Sequence, residues 1–167
     1  MALKLPANPV AIVGGLFLAG CLVAAVLYVQ RGAHIDLRGK VLKVRTLATD
    51  DNSSIAAIDF RFANPASYPF VVREVAVTIE DKKGATIESS PVSEVDARRL
   101  FEYYPALGQK YNDSLVMHDK IPAGATMDRM IVARFEVPES TLTSRKNLTV
   151  RILDVDGPEA VIQEIPK

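Results

Sequence analysis

The sequence predicts a mainly β protein: a β-sandwich of about seven to eight short strands with one inserted short helix, preceded by a single transmembrane helix. Three observations carry this. Residues 9–29 hold no charged side chain. After residue 38 the chain becomes a series of short segments in which apolar and polar residues alternate between turn residues, at the spacing of a sandwich. One stretch, 93–104, breaks that alternation for a helical period.

The segment that orders the rest is 58–79. Ile58, Phe60 and Phe62 alternate with Asp59, Arg61 and Ala63, so the first set is expected in a core and the second in water. Asn64 and Pro65 end this strand. An Asn ahead of Pro is pushed out of the helical region and can hydrogen-bond its own downstream backbone, while Pro65 and Pro69 lack an N–H. A second strand starts at Phe70. Its Val75, Val77 and Ile79 share a face with Arg73, opposite Glu74, Ala76, Thr78 and Glu80, which predicts a sheet with one buried and one wet side.

With 167 residues and 49% hydrophobic content, the chain can bury one proper core and carry something shorter in front of it. Only Lys4 among the charged residues precedes Arg31, and the remainder carries 19 basic and 20 acidic residues. That balance argues against a nucleic-acid surface, which needs a clustered basic excess. The single cysteine, Cys21, sits in the apolar segment, so the domain after it has no disulfide, cysteine-based zinc site or thiol nucleophile.

Taken in order, residues 1–8 form a tail and 9–29 the expected transmembrane helix, roughly 32 Å long against a hydrocarbon core of about 30 Å. A cleaved signal peptide is a rival, with a shorter apolar core. Leu18-Ala19-Gly20-Cys21 also resembles a bacterial lipoprotein signal, in which Cys21 would be lipidated. The apolar run from Leu22 to Val29 favours an uncleaved span, because a lipoprotein continues into a polar tether. Ala11, Gly15 and Ala19 recur every four residues, a face along which two spans could pair as a homodimer, although small residues are common in any span. The basic residues flanking the run, Arg31, Arg38, Lys40, Lys43 and Arg45 against Lys4, would hold the domain inside. Large domains cross largely regardless of charge, so the domain is expected on the extracytoplasmic side, single-pass.

Residues 30–38 read as a tether and 39–167 as the sandwich. Strands are expected at 39–49, 58–63, 70–80, 85–89, 115–118, 130–137, 148–152 and 160–165, and one helical turn at 139–146. The interruption comes at 93–114. Ser93 is an N-cap with Asp96 three residues on, and Ala97, Leu100, Phe101 and Tyr104 recur on one helical face up to Pro105. Residues 106–114 read as a polar, aromatic loop. Tyr103 and Tyr111 fall off the apolar face, and aromatic side chains on a structured loop suit an interface, so this insert is the candidate interaction surface. Expected partners are the lipid bilayer through 9–29 and another protein of unknown identity.

The strand 58–63 with Asn64-Pro65, then P-F-V-V-x-x-V-x-V-x-I from Pro69, then I-P-A-G-A-T from Ile121, resembles the type 2 late embryogenesis abundant domain, also called the water stress and hypersensitive response (WHy) domain. The resemblance covers residues 39–137. It implies an immunoglobulin-like or fibronectin-like sandwich, no enzymatic activity, no cofactor, and a role in stress protection or protein contact. It carries over Asn64 and Pro65 at one turn and Pro122 and Gly124 at another, all structural. The insert at 93–114 departs from the family pattern.

Catalytic and metal chemistry find weak footing. His34 and His118 are too far apart in sequence to suggest a metal site. Asp154 to Glu159 resembles a fragment of a calcium loop but lacks its length, so an Asp-Gly turn is the better reading. Asp113, Ser114, His118 and Asp119 supply triad residue types without a nucleophile elbow. Three N-x-[ST] triplets, at Asn52, Asn112 and Asn147, would mark exposed loops if the chain is glycosylated, but such triplets are common by chance.

Overall fold

The computed structural model describes residues 9–30 and 37–164. The chain divides into two compact units, Met1–His34 and Ile35–Lys167.

The first unit holds helix α1 (Pro9–Gln30). Among the described residues no helix is long and apolar enough to cross a membrane, which corrects the transmembrane helix expected at 9–29. The bilayer partnership, the homodimer along Ala11, Gly15 and Ala19, and the single-pass extracytoplasmic placement lose that support. Cys21 is an exposed free thiol. Residues 1–8, most of the tether and His34 lie outside the described residues.

Among the described residues the second unit is a β-sandwich of nine strands: β1 (Arg38–Asp50), β2 (Ser53–Ala63), β3 (Phe70–Glu80), β4 (Thr86–Glu88), β5 (Ser90–Pro91), β6 (Lys120–Ile121), β7 (Thr126–Phe135), β8 (Asn147–Asp154) and β9 (Glu159–Gln163). One sheet runs β1-β2-β7-β5; the other runs β4-β3-β8-β9 with β6 beside β3. Among the described residues the helices of this unit are α2 (Glu94–Tyr103), a 3-10 turn at Pro105–Leu107 and α3 (Glu139–Thr143), so the inserted helix and the helical turn expected at 139–146 are both present and the 3-10 turn is added to them. The strand expected at 115–118 is replaced by a turn. There His118 takes a left-handed φ of 67° and donates its N–H to Val72 O at 2.7 Å, so the chain cannot run on in ladder geometry.

Facing side chains of the two sheets make the main core, with Phe60, Phe62, Phe70, Phe135, Val77, Ile79, Val150 and Ile152 fully or almost fully buried. Ile58 pairs with Ile131 and Phe62 with Met127, and the Phe60 and Phe62 rings lie 5.7 Å apart. The alternation is observed, but β2 is buried on both sides except at Arg61 and partly at Ala63, so Asp59, expected in water, is 3% exposed. In β3 a bulge between Val72 and Glu74 shifts the phase. Phe70 and Val72 are buried before it and Val77 and Ile79 after it, while Arg73 projects from it to solvent. A one-residue insertion moves every following side chain to the other face, so Arg73 does not share the buried face of Val77.

The two turns singled out in the sequence are in contact. Asn64 is fully buried. Its Nδ2 donates to the carbonyls of Tyr68 at 2.9 Å, Ile121 at 3.2 Å and Pro122 at 3.3 Å, and its Oδ1 accepts the Ala66 N–H at 3.0 Å. Its backbone N–H donates to Ala125 O and its carbonyl accepts the Gly124 N–H. Gly124, at a φ of 68°, takes the left-handed conformation that this turn needs and that side chains disfavour. Pro65 and Pro122 stay at the surface. Nearer the start of β1, a Cβ on Gly39 would lie 2.6 Å from Arg61 O and 2.8 Å from Ile162 Cδ1, so only glycine fits where the edges of the two sheets meet.

Two surface carboxylates titrate below their usual range. Asp81 is held down first by the Ala85 N–H in its turn, and Asp128 first by its hydrogen bond from Arg61, whose Nε lies 2.6 Å away. A depressed carboxylate contributes stability above the ordinary carboxylate range and loses it as pH falls through the lowered value. The thermal midpoint should therefore fall on acidification from neutral pH, with a shallower acid limb in Asp81→Asn; an unchanged limb would show that the turn adds nothing.

Phe62→Ala should cost about 3–5 kcal/mol in urea unfolding, and a loss under about 1 kcal/mol would contradict its buried position. Asn64→Ala should cost at least about 2 kcal/mol, because buried carbonyls lose their donor; Asn64→Asp cannot restore it, since a carboxylate only accepts.

Candidate interaction surface

Residues 93–114 lie across the outer face of the first sheet, and the sequence explains how. Ser93 Oγ accepts the Asp96 N–H at 3.1 Å and donates to Asp96 Oδ2 at 2.7 Å, which satisfies the first turn of α2. Pro105 follows the cap residue Tyr104 and starts the 3-10 turn. On its inner side Ala97 is buried, with Leu100, Phe101 and Tyr104 partly buried, against Ile55, Ala57, Met130 and Val132 of the sheet and Leu107 of the 3-10 turn. This is a second apolar core, and it explains why β2 is dry on both faces.

A charged cluster holds the far end of the segment down. Arg45 of β1 donates from Nη1 to the Leu107 and Gln109 carbonyls, both at 2.7 Å, and from Nη2 to Asp59 Oδ2 at 2.7 Å. Asn112 Nδ2 donates to Asp59 Oδ1 at 2.8 Å. The Arg45 guanidinium lies 4.9 Å from the Phe101 ring centroid and 5.5 Å from that of Tyr111, the distances of cation–π contact. Its side chain and that of Asp59 are 10% and 5% exposed. A buried pair of this kind costs several kcal/mol to break from one side.

Tyr103 and Tyr111 are 78% and 64% exposed, but they occupy different neighbourhoods. Tyr111 lies beside Lys43 and Arg45. Tyr103 packs edge-on against Tyr104, with centroids 5.0 Å apart, and lines a groove of about 840 Å³ between α2 and the end of the β1–β2 hairpin. Ile55, Val92, Leu100 and Tyr104 give the groove apolar lining, and Arg99, Glu102 and Arg134 add charge. An open, largely apolar concavity with a few polar groups is what a binding site requires.

The sequence reading missed Arg45 and Asp59. The signal was present: Lys43 pairs with Asp59, and Arg45 with Ala57, so Arg45 and Asp59 are diagonal cross-strand neighbours of opposite charge. That is visible only once the register is known.

The other candidates are not assembled into sites. The Ser114 hydroxyl has no hydrogen-bond partner among the described residues and His118 is exposed, so no triad forms. Asp154 accepts the Val71 and Asp156 N–H groups in a turn ending at Gly157, whose φ is 103°. Among the described residues no group of His, Cys, Asp and Glu is placed to hold a metal ion.

The fold is that of a β-sandwich domain. No family model matches the chain, and no curated protein matches it. Among solved structures it is similar to an uncharacterised β-sandwich protein from Clostridium difficile 630, with 10% identity, a TM-score of 0.41, and coverage of 77% of this chain and 85% of that one. It is similar also to an ApaG protein from Pseudomonas aeruginosa PAO1, with 10% identity, a TM-score of 0.36, and coverage of 70% and 93%. A third is the archaellum periplasmic stator protein complex of FlaF and FlaG from Sulfolobus acidocaldarius, with 12% identity, a TM-score of 0.34, and coverage of 75% and 86%. Likenesses this distant carry no inference about function.

Arg45→Met should lower stability by about 3–5 kcal/mol, because Asp59 and two carbonyls lose their donor. Combining it with Asp59→Leu should recover most of that loss. Chemical denaturation of the four corners of this cycle checks it, and a single-variant loss under about 1 kcal/mol would show that the segment is held by apolar packing alone.

Proposed function

We propose that this chain is a non-catalytic binding domain that contacts another protein through the groove and exposed rings of residues 93–114. The observation that carries the reading is the groove beside Tyr103: an apolar-lined concavity bounded by a capped helix, with a large, mostly exposed aromatic side chain at its edge. Aromatic groups on rigid backbone bury much area at little entropy cost, which is why they anchor interfaces. The non-catalytic part of the reading is supported by how the buried polar residues are used. Ser54, Asp59, Asn64 and Asp154 each hydrogen-bond a strand, turn or neighbouring side chain, which accounts for them structurally.

The kinship with type 2 late embryogenesis abundant domains belongs to this proposal. Its support is that Asn64-Pro65 and Pro122-Ala123-Gly124, the two motifs that carry the resemblance, form one hydrogen-bonded knot.

Tyr103→Ala combined with Tyr111→Ala should leave the domain within about 1 kcal/mol of its original stability, the loss of an exposed cation–π contact at Tyr111 being of that size. The same pair should abolish capture of partners by the purified full-length protein. A stoichiometric partner would mark a subunit of a complex, and weak capture of many proteins would mark a protective role. If binding survives in the folded double variant, this surface is not the contact.

A further inference from the structure

We infer that the opposite end of the sandwich is a contact surface for an anionic lipid headgroup layer. This goes beyond the protein-binding reading and rests on different residues. Four segments meet at this end. Arg38 opens β1 opposite Ala63, which pairs with Thr126. Asn64 ties the 64–69 loop to Ile121 and Pro122. Val71 pairs with Lys120, and the Val155 N–H donates to Val71 O. The hairpin 155–158 and the turn 116–119 therefore lie beside the start of β3, into which the 64–69 loop leads.

Two kinds of side chain project from these segments. Tyr68, Met117 and Val155 are 40%, 62% and 42% exposed at loop positions. Arg38, Lys40, Arg73 and Lys120 are exposed, and among the described residues none of the four is in an ion pair, whereas the neighbouring Arg61 is paired with Asp128 and Arg129 with Asp119. Against these four unpaired cations stand the exposed carboxylates of Asp156 and Glu74. The chain as a whole has a formal net charge of +0, so this local excess is a concentration of charge and not a property of the composition.

The chemistry of the occupant follows. Cations within a Debye length of an anionic leaflet are attracted to it. A tyrosine suits the headgroup boundary, where one side of the ring is apolar and its hydroxyl is wet, and Met117 and Val155 add apolar contact.

The chain contains no tryptophan, so a single introduced one reports its own surroundings in the full-length protein. Tyr68→Trp should show a blue-shifted emission with phosphatidylglycerol-containing vesicles, quenched by brominated acyl chains. Pure phosphatidylcholine vesicles should give no shift, and high salt should remove the shift seen with the anionic ones. Tyr103→Trp, at the other end, should respond to neither. Adding Arg38→Glu, Lys40→Glu and Lys120→Glu to Tyr68→Trp should abolish the response, and Arg38→Gln, Lys40→Gln and Lys120→Gln should weaken it by at least about tenfold in vesicle affinity. The inference is overturned if Tyr68→Trp responds equally to neutral vesicles, if it ignores anionic ones, or if the glutamate variant keeps its response while folded. It is overturned also if a polyglutamate peptide shifts Tyr68→Trp and anionic vesicles do not, which would identify an acidic protein partner.

Discussion

The contact between Arg45 and Asp59 holds two layers of this domain together. A guanidinium and a carboxylate are buried 2.7 Å apart on the outer face of a sheet, and the guanidinium's Nη1 donates to two carbonyls of the segment that crosses above, while its Nε has no partner among the described residues. Burial of both charges is tolerable because Arg45 Nη1 and Nη2 and both Asp59 oxygens find partners. Once they do, the loop after α2 has one position over the sheet. The groove beside Tyr103 exists because α2 is placed by this arrangement and by the apolar residues under it.

Asn64 plays a comparable part between the sheets. A side-chain amide that donates to three carbonyls and accepts one N–H substitutes for the backbone ladder where β2 ends and the chain crosses over. The buried carbonyls of two turns would otherwise lack donors, which a sandwich end cannot leave to water. One polar residue thus closes the end at which Tyr68, Met117 and Lys120 are displayed, and one ion pair organises the face at which Tyr103 is displayed.

The alternating pattern of 58–62 and the capped helical period at 93–104 were legible because each depends on neighbours a few residues away. The double burial of β2 was not. Asp59 reads as a water-facing residue, and it is dry only because a segment some forty residues later folds over it. The phase of β3 was misread for a different reason: a bulge at Arg73 is a local change of register with no composition of its own. The strand expected at 115–118 failed where a left-handed residue turned an apolar stretch into a corner.

By itself the sequence determined that the domain is a two-sheet structure with a helical interruption, that Asn64, Pro65, Pro122 and Gly124 make turns, and that Ala97, Leu100, Phe101 and Tyr104 form one apolar face. These follow from periodicity and from the backbone preferences of single residues. Tertiary structure alone decided that Asn64 binds the second turn, that Arg45 meets Asp59, that Tyr103 borders a groove while Tyr111 does not, and that four cations in no ion pair among the described residues share one end. Each of these depends on strand register and on which segment covers which face, and those are set by packing between residues far apart in the chain.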